Sequence, residues 1–268
     1  MIKWLIEEIH DHNGLAQLAA QLKELGRTVS FVKYQPFSEG VHHNWLPTDD
    51  VIVVGSINLC QQLSKEVPSW NKGIWATFEN YDCLKYLPKL KELCLNYPYE
   101  VVQLTEIWDK RWALTSFTED SCLFIRPNEG TKDFTGSVID YQNLEAQLKV
   151  WQSRSSPNCT CIVSKPQKLK AEWRIIVAAV PTPRVVASSL YRLDGNATYV
   201  QGSPKEAQEL ALLTTKLMTA PDPLYIVDVA QTPQGLKIVE LNAFSSAAQY
   251  ACNSKETILA AEEAYKTL

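Results

Sequence analysis

The chain has 268 residues, 46% of them hydrophobic, with a formal net charge of -4 and a pI near 5.7. That length fits one large domain or two modest ones, and the apolar content fills a core. Acids and bases are mixed along the chain, without a basic arm, a polybasic patch or an apolar run near the roughly 20 residues of a membrane span, so nucleic-acid and membrane partners are not expected.

The N-terminus, Met1 to Ile9, carries Glu7 and Glu8 where a signal peptide would be apolar, so a mature cytoplasmic protein is expected. The seven cysteines (60, 83, 94, 122, 159, 161 and 252) follow no framework spacing. Reduced thiols are the default for that location. Cys159-Thr160-Cys161 lacks two further ligands at zinc spacing, because the four histidines (10, 12, 42, 43) lie far upstream.

The first third alternates strands and helices. Lys3 to Ile9 reads as a strand. Asn13 to Leu25 has Leu15, Leu18, Ala19, Leu22 and Leu25 at helical spacing, with Gly26 as the stop. Thr28 to Val32 is a second strand. Val51-Ile52-Val53-Val54-Gly55 is a buried-strand run opening into Ser56, which is placed to cap a helix through Leu63. This is a small doubly wound pattern, and no glycine-rich dinucleotide fingerprint follows its strands. Glu79-Asn80-Tyr81-Asp82, ahead of another helical stretch, reads as a solvated loop or a cleft edge.

From about residue 100 the texture becomes α+β with a mostly antiparallel sheet. Val101 to Leu104 is extended, and Asp109 to Phe117 is a polar helix with Lys110 and Arg111. Strands follow at Ser121 to Arg126, Cys161 to Ser164, Glu172 to Val180 and Arg184 to Tyr191. Ser203-Pro204-Lys205-Glu206 forms a capping box that starts a helix through Met218. A last helix spans about Lys255 to Lys266. No internal repeat or low-complexity linker interrupts the chain.

Tyr225 to Asn242 carries the chemistry. Two β-branched runs flank Thr232-Pro233-Gln234-Gly235, a hairpin signature. A three-residue loop with Gly235 at positive φ sets Thr232 opposite Leu236 and Asp228 opposite Glu240. Asn242, two residues on, shares Glu240's face. Ile226 and Ile238 are expected on that same face, which makes it partly buried. Opposed carboxylates repel across a ladder, and burying them unpaired costs several kcal/mol per ion. A divalent cation relieves both problems, and hard oxygen ligands suit Mg²⁺ held with substrate phosphates. The alternative is a solvated edge hairpin.

Other residues point the same way. On Glu172 to Val180, Glu172 and Arg174 share one face, with Trp173, Ile175 and Val177 on the other. The next strand ends in Arg192. Arginine forks beside a carboxylate-bound cation suit phosphoryl oxygens; a surface Glu-Arg pair is the plainer reading. Phe124-Ile125-Arg126-Pro127 ends a strand and leads into a polar loop bounded by Gly130 and Gly136 and holding Lys132. Such loops close over phosphates with lysine as a point charge, and surface turns look alike. It is not a P-loop, since no Gly-Lys-Ser/Thr opens a helix. Lys165, before Pro166, reaches either a nucleotide or solvent.

The ordered set is strand-Arg-loop-Lys, Glu-x-Arg strand, Arg-ending strand, capped helix, then Asp hairpin Glu-x-Asn. Over about residues 95 to 268 it resembles the ATP-grasp superfamily, and Phe124 to Pro127, Lys132 to Gly136 and Glu172 to Arg174 resemble its small clade named for a characteristic arginine and two lysines. The resemblance implies α/β plus α+β architecture: a Rossmann-like N-terminal domain over 1–98, then an ATP-grasp domain over 99–268 with a mostly antiparallel sheet. It implies that Asp228, Glu240 and Asn242 hold Mg²⁺ on ATP, that Arg126, Lys132, Lys165 and Glu172 contact the nucleotide, and that Arg174 and Arg192 stabilise charge at the γ-phosphate and acyl phosphate. Arg126 departs from the lysine of most members, the loop after it is less glycine-rich than usual, and Lys110 is the candidate for the first-subdomain lysine. The implied reaction is ADP-forming joining of a small-molecule or peptide carboxylate to an amine; a kinase on the same fold and a non-catalytic nucleotide-binding partner protein are the alternatives. Ser245 and Ser246 either contact the acceptor or satisfy loop amides.

Overall fold

The structure, a computed structural model, describes residues 1–8, 14–35, 40–115 and 121–268. Its N-terminal part is a parallel sheet of order β2-β1-β3, built from β1 (Lys3–Glu7), β2 (Thr28–Val32) and β3 (Val51–Val54). Helix α1 (Leu15–Glu24) buries Leu15, Leu18, Ala19 and Leu22, the face its spacing predicts, while Asn13 lies outside the described residues. Helix α2 (Ile57–Glu66) starts at Ser56, whose Oγ accepts from Leu59 N–H at 3.2 Å. A 3₁₀ turn over Phe78–Tyr81 leads into α3 (Cys83–Leu90).

A four-stranded antiparallel sheet of order β4-β7-β5-β6 follows, from β4 (Tyr99–Gln103), β5 (Cys122–Pro127), β6 (Ser137–Asp140) and β7 (Thr160–Ser164). Helices α4 (Ile107–Thr115) and α5 (Tyr141–Gln152) cover it, and Leu123, Ile125, Leu144, Leu148 and Trp151 share a separate core. Strand β6 and helix α5 are additions to the sequence reading. The helix was legible: the Asp140 carboxylate caps Asn143 N–H at 2.9 Å, and Leu144, Leu148 and Trp151 recur at helical spacing.

The largest sheet is antiparallel, of order β10-β9-β8-β11-β12, from β8 (Ala171–Ala178), β9 (Arg184–Leu193), β10 (Asn196–Gln201), β11 (Leu224–Thr232) and β12 (Gly235–Ala243). One face buries Ile175, Val177, Val227 and Val229 under Ala207 and Ala211 of α6 (Lys205–Leu217). The other buries Ile176, Leu224 and Ile226 with Ile258 and Ala261 of α7 (Ser254–Thr267) and with Trp4 and Ile52 of the N-terminal sheet. Both cores join residues from either side of position 98.

Two local expectations are corrected. The helix α6 begins one residue late, so its N-cap is Pro204, which has no side-chain oxygen to offer; Ser203 Oγ donates to Ser188 Oγ at 2.8 Å instead of capping. In the β11–β12 hairpin Thr232 pairs with Gly235, leaving a two-residue turn with Gly235 at φ 107°. Asp228 still faces Glu240, because the register shifts between Asp228 and Val229 and Val239 becomes an extra residue. The bulge turns Ile238 onto the opposite face, where it is buried with Val229 and Leu241.

Candidate active site

Strand register brings the charges together. Arg174 of β8 pairs with Asp228 of β11, which pairs with Glu240 of β12, so the three form a row across the sheet. The Arg174 guanidinium grips Asp228 bidentately, Nε to Oδ1 at 2.9 Å and Nη2 to Oδ2 at 2.7 Å, and its Nη1 donates to Ala248 O at 2.6 Å. Asn242 Nδ2 donates to Asp228 Oδ2 and to Glu240 Oε1, each at 3.0 Å.

The four-stranded sheet and the loop after β5 supply two further cations. Arg126, at the end of β5, donates from Nη2 to Glu240 Oε2 at 2.9 Å. Lys132 Nζ donates to Glu240 Oε1 at 2.9 Å and to Asn242 Oδ1 at 2.7 Å. The loop carrying Lys132 is pinned by its glycines. A Cβ on Gly130 would lie 2.3 Å from Phe78 O, and one on Gly136 would lie 2.9 Å from both Phe124 Cζ and Arg126 Cβ. Lys132 itself adopts φ 56° to turn inward.

The result is two carboxylates, Asp228 and Glu240, facing three cations, Arg126, Lys132 and Arg174. Burial pushes the Glu240 carboxyl up, but Lys132 and Arg126 outweigh it and hold that group well below the usual carboxylate range. The row therefore carries surplus positive charge, which suits an anionic ligand.

It borders a cavity of about 510 Å³, whose remaining wall includes Leu95, Phe124, Phe134, Val138 and Leu169. Glu172 lines this cavity too; its Oε2 accepts from the Tyr191 hydroxyl at 2.8 Å, and its Oε1 lies 3.4 Å from Arg192 Nη1. Arg192 thus pairs with Glu172, while Lys165 stands exposed at the rim. On the far side of the row, a cavity of about 230 Å³ is bounded by Lys132, Arg174, Asn242, Tyr250 and Ser246 to Ala248. It adjoins a third, of about 460 Å³, at the β3–α2 turn, with Ile57, Lys132 and Ser246 shared. The charged row stands between two spaces.

Sequence reasoning missed an aromatic support. Tyr250 stacks between Tyr191 at 5.1 Å and Tyr199 at 5.2 Å, and Arg174 Cζ lies 4.8 Å from its ring centroid. Tyr191 was within view, one residue before Arg192. Tyr250 gave no local signal, since it sits in an irregular segment at φ 48°. Ser245 satisfies amides: its Oγ accepts from Trp75 N–H at 2.9 Å and its carbonyl from Gly55 N–H at 2.7 Å. Ser246 lines the far-side cavities. Lys110 pairs at 2.7 Å with Glu106, in the 3₁₀ turn just before its helix, and is absent from these three cavity walls. No helix among the described residues is long and apolar enough to cross a membrane.

Solved structures share this fold. D-cycloserine synthetase matches with a TM-score of 0.63 at 13% identity, over 98% of this chain and 100% of that one. D-alanyl-alanine synthetase A from Vibrio cholerae O1 biovar eltor matches with 0.63 at 11%, over 99% and 98%. N5-carboxyaminoimidazole synthetase from Staphylococcus aureus, complexed with ADP, matches with 0.61 at 15%, over 98% and 77%. No curated protein matches the sequence. The model of an ATP-grasp domain family, family 3 of the clade named for one arginine and two lysines, matches residues 57–261, most of the chain, and the protein therefore belongs to that clade of the ATP-grasp superfamily.

Proposed function

We propose that the protein is an ATP- and Mg²⁺-dependent ligase that activates a carboxylate as its acyl phosphate for attack by an amine, forming an amide and ADP. The observation that carries this reading is the row Arg174-Asp228-Glu240-Asn242, met by Arg126 and Lys132 and flanked by a cavity on each side. Family membership and the fold shared with three synthetases, one solved with ADP, support it.

The donor set fits a hard divalent cation. Glu240 Oε1 and Asn242 Oδ1 already converge on one cationic centre, the Lys132 ammonium, and Asp228 is joined to both through Asn242 Nδ2. Asp228, Glu240 and Asn242 would hold Mg²⁺, which when bound neutralises phosphate charge and orients the terminal phosphoryl group. Lys132 and Arg126, released from Glu240, keep their charge within reach of phosphate oxygens. Arg174, steadied by Ala248 O and Tyr250, lines both cavities and stabilises charge developing between the two substrates. Glu172 and Lys165 lie on the nucleotide side with Arg192. The chain's own work is positioning and electrostatics, so a nucleophilic side chain is not required. An ATP substrate and seven free thiols fit a cytoplasmic location.

The test is a screen of carboxylic acids, amino acids and short peptides with amines for Mg²⁺-dependent ADP release, followed by mass spectrometry. The expected product is acid plus amine less water. Glu240→Gln should lose at least about 100-fold in turnover while still folding, with a lowered melting temperature because buried Arg126 loses its carboxylate partner. A phosphorylated product that never forms an amide would make the protein a kinase. Near-normal turnover in Glu240→Gln would remove the metal assignment.

A further inference from the structure

Among the described residues lining the cavity of about 510 Å³, one carries a buried side-chain nitrogen with no hydrogen-bond partner. Asn96 lies on the segment entering β4 and contributes to the cavity wall beside Leu95, Phe124 and Val138. It is only 3% exposed. Its Oδ1 accepts from Ser164 Oγ at 3.4 Å, and its Nδ2 is enclosed with no hydrogen-bond partner. The segment is held in place, because Leu95 N–H donates to Ile238 O at 2.8 Å and Cys94 bridges to Ile238. An enclosed N–H without an acceptor forfeits its hydration and gains nothing in return, so in a native fold it calls for an explanation.

The cavity's division of labour supplies one. Phosphates belong with Arg126 and Lys132, and the flat heterocycle of a nucleotide belongs against the apolar wall. We infer that Asn96 reads the nucleobase, its Nδ2–H donating to a ring nitrogen of the purine. This rests on the nucleotide reading above. With Oδ1 engaged by Ser164, Nδ2 is the part of the amide left without a partner, in a residue that contributes to the cavity wall. A base that brought its own N–H to that position would leave two donors opposed, so the residue selects for a lone pair there. Asn96 is then a specificity residue on an anchored segment, which is where a reading group needs to sit.

The experiment measures nucleotide binding by calorimetry, with no need to know the acceptor. Wild type, Asn96→Leu and Asn96→Asp are each titrated with ATP, ADP and three ATP analogues in which N1, N3 or N7 is replaced by CH. Wild type should bind one of the three analogues about tenfold more weakly than ATP. Asn96→Leu, close in shape but without the N–H, should lose about tenfold for ATP and for ADP alike and bind that same analogue no worse than ATP. Asn96→Asp, which puts an acceptor where the donor stood, should bind ATP more weakly still. The inference is overturned if wild type binds all three analogues as tightly as ATP, or if folded Asn96→Leu binds ATP unchanged. Should Asn96→Leu not fold, the wild-type analogue series decides alone. Wild type binding neither ATP nor ADP with Mg²⁺ present would instead bring down the nucleotide reading, and the inference with it.

Discussion

Two carboxylate sites in this molecule, one buried at Asp222 and one half-buried at Glu240, are satisfied in opposite ways. Among the described residues Asp222, 8% exposed, accepts from neutral donors: Thr77 N–H at 3.3 Å, Thr77 Oγ1 at 2.8 Å and the Tyr81 hydroxyl at 2.7 Å. Burial dominates there and pushes its carboxyl up to about 6. Glu240 accepts from Arg126 and Lys132, and those cations pull its carboxyl down against burial. Neutral donors make Asp222 a tie between the Phe78–Tyr81 turn and the segment before β11. Cations make the Glu240 site exchangeable, because an arriving metal and its anions can replace internal partners without leaving a bare charge.

That contrast can be broken most severely at Arg174. Replacing it in Arg174→Met leaves Asp228, 1% exposed, without its cation, and unfolding in denaturant should show a loss of about 3–5 kcal/mol. The double variant Arg174→Met/Asp228→Asn should recover most of that loss. A single-variant cost below about 1 kcal/mol would place Asp228 in the same class as Asp222.

Asp222 itself sharpens the comparison through pH. Its folded state keeps a proton up to about pH 6, whereas an unfolded aspartate releases it near 3.9. Between those values the folded state binds more protons, so this group's contribution rises as pH falls. Asp222→Asn cannot titrate. The stability difference, wild type minus variant, should therefore grow by up to about 3 kcal/mol between about pH 6 and pH 4 and stay flat on either side. A difference that does not move with pH would show that the carboxyl is not held protonated by burial.

The mildest change is Lys132→Met. Lys132 is partly exposed, so the melting temperature should barely move, while Mg²⁺-ATP affinity should drop about tenfold. ATP binding as tight as wild type would mean that the loop between Gly130 and Gly136 does not serve phosphate.

Legibility followed range along the chain. Asp228, Glu240, Asn242 and Arg174 could be read because strand periodicity assigns a face from a few neighbours. The pairing of Asp228 with Glu240 was reached through a three-residue turn, whereas the chain uses a two-residue turn and a bulge at Val239; the compensation hides from any reading of spacing alone, and it carries Ile238 to the other face. Helix α5 had a cap and an apolar stripe and was legible though passed over. Strand β10 was not, since Tyr199 and Val200 are both exposed and no alternation marks them. Asn96, Asp222 and Tyr250 have partners 68, 141 and 59 residues away, and no local pattern announces them.

The amino-acid order by itself determined which charges exist, which strand faces bear them and that a glycine-bounded loop carries Lys132, because period-two alternation and turn chemistry are local properties of the backbone. Only the tertiary structure decided that Arg174 takes Asp228, that Arg126 and Lys132 take Glu240, and that a cavity opens on each side of them. Those matches depend on the β8–β11 register and on Gly130 and Gly136 seating against distant chain, and both are set by burial and close contact between segments far apart in sequence.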